Sequence, residues 1–496
     1  AKGAFPAGWR FQPGTDATFA EHAMVVSMSR YASEAGVEIL KAGGNAVDAA
    51  VATGFALAVT YPTAGNIGGG GFMNIRLADG RTAVIDYRET APAGASRDMY
   101  LGPDGKLTSK STVGHLASGV PGSVAGMAEA LAKYGTMPLA KVMAPAIRLA
   151  SEGFVVDTTM SRGGACSRLI AQFEGKTLFC PGGESLKPGT LFKQPDLART
   201  LREIAAKGPP GFYTGWVADS LVAEETRGGG IITLSDLKGY KPLWRTPITS
   251  TYRGYTLFSM PPASSGGITM TETLNILEQF APLPPAGSAA YTHLVAEALR
   301  RSFTDRNTKL GDPAFVTVPM DQLTSKDYAK ALAAQIDRSK ASKTPAFQAG
   351  PEPEHTTHYS VVDAMGNAVA TTTTLNGGYG SGVWVRGAGF FMNNEMDDFA
   401  AAPGQPNMFG LVQGEANAIQ PGKRMLSAMA PTIVLDPKGQ LMMVTGAAGG
   451  PTIITAVMDI ILNVVEHGMT LADAMKAPRL HHQALPDRVE YEQGGL

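Results

Sequence analysis

A run of residues able to do nucleophilic chemistry stands late in the 496-residue chain: Thr356-Thr357-His358-Tyr359-Ser360, then Thr371 to Thr374, then Asn376. The stretches Tyr359 to Asp363 and Ala368 to Thr374 flank Met365-Gly366-Asn367 and read as two strands joined by a tight turn. Thr356 then sits at the start of the first strand. A threonine hydroxyl is a poor nucleophile unless a base stands beside it, and its own α-amine is the most compact such base. That amine is free only once the preceding peptide bond is cut, so this reading predicts self-cleavage between His355 and Thr356. Threonine is also a strong strand former, and by composition alone Thr371 to Thr374 describe a polar sheet face.

The whole segment resembles the start of the small subunit of the γ-glutamyltranspeptidases, members of the N-terminal nucleophile hydrolases. The resemblance runs in order through most of the chain. Upstream it rests on Ala42 to Ala50, Gly65-Asn66-Ile67-Gly68-Gly69-Gly70-Gly71-Phe72, Asp86-Tyr87-Arg88-Glu89-Thr90-Ala91-Pro92, Val120-Pro121-Gly122-Ser123 and Pro261 to Gly267. Downstream it continues in Asn393-Asn394-Glu395-Met396-Asp397-Asp398-Phe399, Lys423-Arg424-Met425-Leu426-Ser427 and Thr445 to Gly450. It implies an α+β fold, a four-layer αββα sandwich. It also implies a zymogen cut into a large subunit, 1–355, and a small subunit, 356–496, which remain one intertwined heterodimer. The activity implied is hydrolysis and transfer of γ-glutamyl groups from glutathione-like compounds to water, amino acids or peptides.

Each role follows from a matching block. Thr356 Oγ attacks the γ-carbonyl, and its α-amine, with a reference pKa of about 7.7 to 8.0, takes the proton near neutral pH. Thr374 matches the threonine that positions the nucleophile. Gly449 and Gly450 match the oxyanion hole, where backbone N–H groups approach closely because no Cβ intervenes. Arg88 suits a substrate α-carboxylate through its planar fork, with Ser427 as a second donor. Asn376, Glu395 and Asp398 match the groups that hold the α-ammonium. Together they make a zwitterion clamp.

Two departures from the family pattern are visible. Many relatives carry two adjacent serines where this chain has Ser427-Ala428, so one carboxylate hydrogen bond is missing, a difference of about 1.5 to 3 kcal/mol for a charged partner. Pro403 to Gly410 resembles the lid loop, and Phe409 stands where a tyrosine is common. Without that hydroxyl the lid opens more readily and admits water, so hydrolysis is expected to compete strongly with transfer. Ala428 and Phe409 keep a second reading open, a cephalosporin (glutaryl) acylase of the same fold; retention of Arg88 and Asp398 argues against it. A third reading, a non-enzymatic periplasmic amino-acid-binding protein, leaves Thr356 unexplained.

Other chemistries find no support. Gly68 to Gly71 lack the Lys-Ser/Thr of a phosphate loop, Gly377 to Gly382 miss the dinucleotide spacing, and no G-x-S-x-G or H-E-x-x-H occurs. The pairs His355/His358 and His481/His482 lack further ligands at a recognisable spacing. No cofactor and no metal are expected. With 42 basic and 43 acidic residues, nothing points to nucleic acid or an anionic membrane as partner. Ala1 in place of Met suggests a mature or trimmed form, and export to the periplasm or beyond is the family expectation. Cys166 and Cys180, fourteen positions apart, are open to pairing or to independence. The chain also ends sooner after Arg479 to Gln483 than is usual in the family, through a missing strand pair or an incomplete C-terminus.

The elements that must position these groups are legible as pattern. Helices are predicted over Ser33 to Lys41 and from an N-cap at Asn45, with Ala46 to Val59 buried and too short to span a bilayer. Further helices are expected at Ser123 to Lys133, Ala140 to Glu152, Gln194 to Lys207, Thr269 to Phe280, Ala289 to Thr304, Ser325 to Ile336 and Thr452 to His467. Phe72 to Leu77 and Thr82 to Asp86 read as a hairpin about Ala78-Asp79-Gly80, which places Arg88 just past a strand end. Lys340 to His355 reads as an exposed linker into the cleavage point. A length of 496 residues at 44% apolar content admits about three domains of ~150 residues, whereas the resemblance implies one globule.

Overall fold

Hydrogen-bonded hairpins build the centre of the protein outward from the strand that begins at Thr356. The computed structural model describes residues 17–162, 164, 166, 172–344 and 356–492. Six antiparallel strands form one sheet: β1 (Met24–Val26), β2 (Gly70–Arg76), β3 (Thr82–Asp86), β4 (Leu243–Arg245), β7 (Thr356–Val362) and β8 (Ala368–Thr374), in the order β1-β7-β8-β2-β3-β4. A second sheet stacks on it, of β5 (Ile248–Tyr252), β6 (Tyr255–Ser259), β9 (Thr432–Leu435) and β10 (Leu441–Thr445), in the order β10-β9-β6-β5. β7 and β8 are adjacent in the first sheet, in a register that sets Thr374 opposite Thr356.

The turn between them forms because Asp363 Oδ1 accepts from the amides of Met365 and Asn367 while Gly366 takes a positive φ of 88°. Alternation along the strands then sorts the side chains. Tyr359, Val361 and Val369 face a layer of helices, α1 (Arg30–Lys41), α2 (Ala46–Thr60), α3 (Ser123–Tyr134), α4 (Leu139–Glu152) and α5 (Pro195–Lys207). Ala368 and Ala370 pack between the sheets against Ile433. The second sheet buries Leu257 and Val434 against α6 (Gly266–Leu277), α7 (Ala289–Lys309) and α8 (Thr452–Val465). Helix, sheet, sheet and helix make the four layers of an αββα sandwich.

Local signals hold where the hydrogen bonding is local. Asn45 caps α2 by accepting from Val47 and Asp48 amides at 2.9 and 3.0 Å, and Asp48 Oδ2 returns the bond to the Asn45 amide at 2.8 Å. Every residue of α2 is buried, as its apolar run predicts. Boundaries shift where tertiary contacts decide them. α6 begins at Gly266, three residues before the predicted start, because Ser265 is drawn against Ser427. α7 runs on to Lys309, five residues past its predicted end, and the predicted Ser325 to Ile336 helix shrinks to Lys326–Ala333. Cys166 and Cys180 form a disulfide. Of the linker predicted over Lys340 to His355, residues 345–355 lie outside the described residues. Its first part is tethered: Ser342 Oγ donates to Glu297 at 2.6 Å and the Thr344 amide to Asp487 at 2.8 Å. Among the described residues no helix is long and apolar enough to cross a membrane.

Candidate active site

The candidate residues converge from distant parts of the chain on one small, partly open cavity. Thr356, Thr374, Asn376, Arg88, Glu395, Asp398, Ser427, Phe409 and Gly450 all line it. Of the predicted set only Gly449, one residue earlier, stands outside the lining.

Thr356 and Thr374 meet because their strands pair there and both side chains project between the sheets; their Oγ1 atoms lie 3.4 Å apart. Thr374 Oγ1 also accepts from the Asn376 amide at 2.8 Å, so its own proton is directed elsewhere and Thr356 Oγ1 is within reach. The Asn376 backbone turns through a positive φ of 74°, which a short polar side chain tolerates. Its Nδ2 donates to Asn394 O at 3.0 Å, and among the described residues no donor reaches its Oδ1, which leaves an acceptor for a cation.

Arg88 follows β3 by two residues and its side chain is fully buried. Its guanidinium pairs with Glu395 through one terminal nitrogen and with Asp398 through the other, while Nε donates to Met425 O at 3.3 Å. Cation and anions of the expected clamp thus neutralise each other directly, a contact absent from the sequence reading. The physical reason is burial: three charges on a short 3-10 turn (Glu395–Asp398) and a strand end are stable away from water only when paired. Burial disfavours the Arg88 cation, but Glu395, Asp398 and Glu89 outweigh it and raise its pKa. Burial in turn raises Glu395 and Asp398 against the pull of Arg88, and lifts the neighbouring Glu89 to about 7.

Ser427 is held in place by its backbone, whose carbonyl accepts from the amide and the hydroxyl of Ser265 at 2.8 and 2.6 Å. Its Oγ accepts from the Met429 amide at 3.1 Å and keeps its proton to donate into the cavity. Gly450 takes a φ of 57°, and a Cβ there would sit 2.6 Å from the Phe409 ring, so only glycine lets that ring close over the chain. Gly449 and Gly450 open the first turn before α8, with amides that no described carbonyl engages. Phe409 lacks a hydroxyl, and the expected lid segment is held by other contacts: Gln483 Nε2 donates to Phe409 O at 3.1 Å and the Met408 amide to Asp397 Oδ2 at 2.9 Å.

One lining residue escaped the sequence reading. Arg306, on α7, is 1% exposed and enters the cavity beside Asp398. Nothing in its local sequence, Thr304-Asp305-Arg306-Asn307, separates it from an ordinary helix-end cation. Among the described residues no group of three or more His, Cys, Asp or Glu is arranged to hold a metal ion. Two facing threonine hydroxyls, glycine amides that no described carbonyl engages, and a buried cluster of opposed charges around one pocket are groups that could serve acyl transfer from an amino-acid-like donor.

Comparison with known proteins agrees. Residues 32–496 match the family described as gamma-glutamyltranspeptidase. The chain is 50% identical over 484 residues to a glutathione hydrolase proenzyme of Escherichia coli (strain K12), covering 96% of this chain and 83% of that one. It is 41% identical over 470 residues to the acylase ACY 1 proenzyme of Pseudomonas sp. (strain SE83), covering 92% and 82%. Among solved structures, a cephalosporin acylase from Bacillus halodurans matches with a TM-score of 0.83 at 29% identity, over 96% of this chain and 86% of that one.

Proposed function

Because the chain belongs to the γ-glutamyltranspeptidase family and is an enzyme of the N-terminal nucleophile hydrolase fold, we propose that it moves the γ-glutamyl group of glutathione-like compounds, through an ester on Thr356, to water or to an amine. The observation that carries this reading is the convergence of Thr356, Thr374 and the Arg88–Glu395–Asp398 cluster on one cavity. The membership sets aside the non-enzymatic binding protein.

Cleavage before Thr356 yields the subunits 1–355 and 356–496 and frees the α-amine. The amine takes the Oγ1 proton as the oxygen attacks the γ-carbonyl, with Thr374 holding that oxygen in line. The N–H groups of Gly449 and Gly450 receive the oxyanion of the tetrahedral intermediate. The C–N bond then breaks, the threonine ammonium returns its proton to the departing amine, and the γ-glutamyl ester remains. Water or an acceptor amine attacks the ester, giving its proton to the same α-amine, and Thr356 is restored. The clamp orients the donor: Arg88 and Ser427 take its α-carboxylate, while Asp398, Glu395 and Asn376 take its ammonium. A periplasmic or secreted location belongs to this reading, supported by the Cys166–Cys180 disulfide.

An acylase acting on glutaryl-type groups is the second reading, favoured by an apolar wall of Leu411, Leu426, Ala428, Met429 and Ile453. A glutaryl group has no ammonium for Asp398, Glu395 and Asn376 to receive, which favours the γ-glutamyl donor. Mass spectrometry of wild-type and Thr356→Ala protein tests cleavage: fragments meeting between His355 and Thr356 are expected only with the threonine. Turnover of γ-glutamyl-p-nitroanilide and glutaryl-p-nitroanilide then decides the donor. Preference for the glutaryl compound would sink the γ-glutamyl reading.

A further inference from the structure

Arg306 is a buried cation that the proposed chemistry leaves without a task. No carboxylate among the described residues lies within ion-pair distance of it. Its hydrogen bonds run in two directions instead. Nε donates to Ser265 Oγ at 3.0 Å, and Ser265 in turn holds the Ser427 carbonyl through both amide and hydroxyl. Nη1 donates to Asn307 Oδ1 at 2.8 Å and to Gln413 Oε1 at 3.3 Å, and Gln413 Nε2 donates to Asp398 O at 3.1 Å. Nη2 has no hydrogen-bond partner among the described residues. One guanidinium therefore reaches both halves of the clamp, the carboxylate side through Ser265 and the ammonium side through Gln413.

Charge gives the second half of the argument. Around Asp398 stand Arg88 and Glu89 from the segment after β3, Glu395 and Asp397 from its own turn, and Arg306 from α7. Once a donor's α-carboxylate takes Arg88, the three carboxylates Glu89, Glu395 and Asp398 share a cation whose charge is already met. Asp398 must still be an anion to hold an ammonium. We propose that Arg306 is the positioning residue of the clamp, bracing Ser427 through Ser265 and Asp398 through Gln413, and keeping Asp398 ionised when Arg88 turns to the substrate. The inference rests on the γ-glutamyl reading above. Burial lowers the Arg306 pKa to about 10, with Asp398 working against that drop, so it stays charged at neutral pH. Burial raises the Asp398 pKa, and Arg306 is one of the groups that pull it back down.

The test is the pH dependence of competitive inhibition by L-glutamate, with γ-glutamyl-p-nitroanilide as substrate, in processed wild-type, Arg306→Gln, Arg306→Lys and Ser265→Ala proteins. Without the Arg306 charge Asp398 protonates more easily. The acid limb of the inhibition constant is expected to move up by about one pH unit in Arg306→Gln, with KM raised about tenfold and kcat much less affected. Arg306→Lys keeps the charge and restores the limb, though its point charge replaces only part of the fork. Ser265→Ala weakens inhibition without moving the limb. An unmoved limb in Arg306→Gln, or a limb displaced equally in Arg306→Lys, overturns the inference. If Arg306→Gln does not fold, Arg306→Met takes its place, with the same upward shift of the limb expected and an unmoved limb overturning the inference. A wild-type enzyme with no γ-glutamyl turnover overturns the functional reading and this inference together; normal turnover with an unmoved limb overturns this inference alone.

Discussion

Two hydroxyl layers lie two residues apart on the inter-sheet face of β7 and β8, and their fates differ. Thr356 and Thr374 border the cavity, whereas His358, Thr372 and Ser360 lie deeper between the sheets. The deeper layer holds the more conventional combination, an imidazole between two hydroxyls. His358 Nδ1 bonds Thr372 Oγ1 and Nε2 bonds Ser360 Oγ, both at 2.9 Å, and Ser360 is tied onward to Val444 O at 3.2 Å. Burial pushes the His358 pKa down to about 3, and although the residue as a whole is only partly buried, both ring nitrogens are occupied. A Cβ on Gly446 would lie 2.1 Å from that ring, so the second sheet closes directly upon it. The layer is a neutral strut joining the sheets. Both nitrogens of the histidine are engaged away from the pocket, whereas Thr356 borders it beside the opposed charges, the placement that the proposed nucleophile requires.

That contrast can be broken at either layer. The largest effect belongs to Thr356→Ala, which should abolish cleavage and lower kcat by about 10⁴-fold or more, with the thermal midpoint nearly unchanged. Substantial residual turnover would place the nucleophile elsewhere. Thr374→Ala removes the hydroxyl that steadies Thr356 and meets the Asn376 amide, and should cost about 10- to 100-fold in kcat with a smaller change in KM.

At the deeper layer the order of effects inverts. His358→Gln should hold activity within about threefold while costing about 1 to 2 kcal/mol of stability through lost hydrogen bonds. Its pH signature has a definite sign. The folded pKa of His358 lies below the unfolded value of about 6.5, so its contribution is present above that value and is lost as pH falls toward 3. The drop in thermal midpoint between pH 7 and pH 4.5 should therefore be smaller in His358→Gln than in wild type. A His358 variant as inactive as Thr356→Ala would erase the distinction between the layers. The smallest effect is expected at the lid, where Phe409→Tyr should raise the ratio of transfer to hydrolysis about twofold, read from product ratios with an added amino-acid acceptor.

What the sequence by itself determined is what neighbouring residues decide between themselves. The Asn45 cap, the turn at Asp363 to Asn367, the hairpin at Ala78 to Gly80 and the start of a strand at Thr356 each rest on hydrogen bonds or alternation within a few positions, and each is legible without the fold. Arg88, Asn376, Glu395, Asp398 and Ser427 were singled out through ordered blocks of residues, and the fold brings them to one cavity. Their relations were not legible. Arg88 pairs with carboxylates 307 and 310 positions away, Gly450 lines the cavity while Gly449 does not, and Arg306 enters from the end of a helix whose own sequence is unremarked. Tertiary structure decided these because charge pairing under burial depends on which atoms share a volume excluded from water, and strand register and layer packing set that volume.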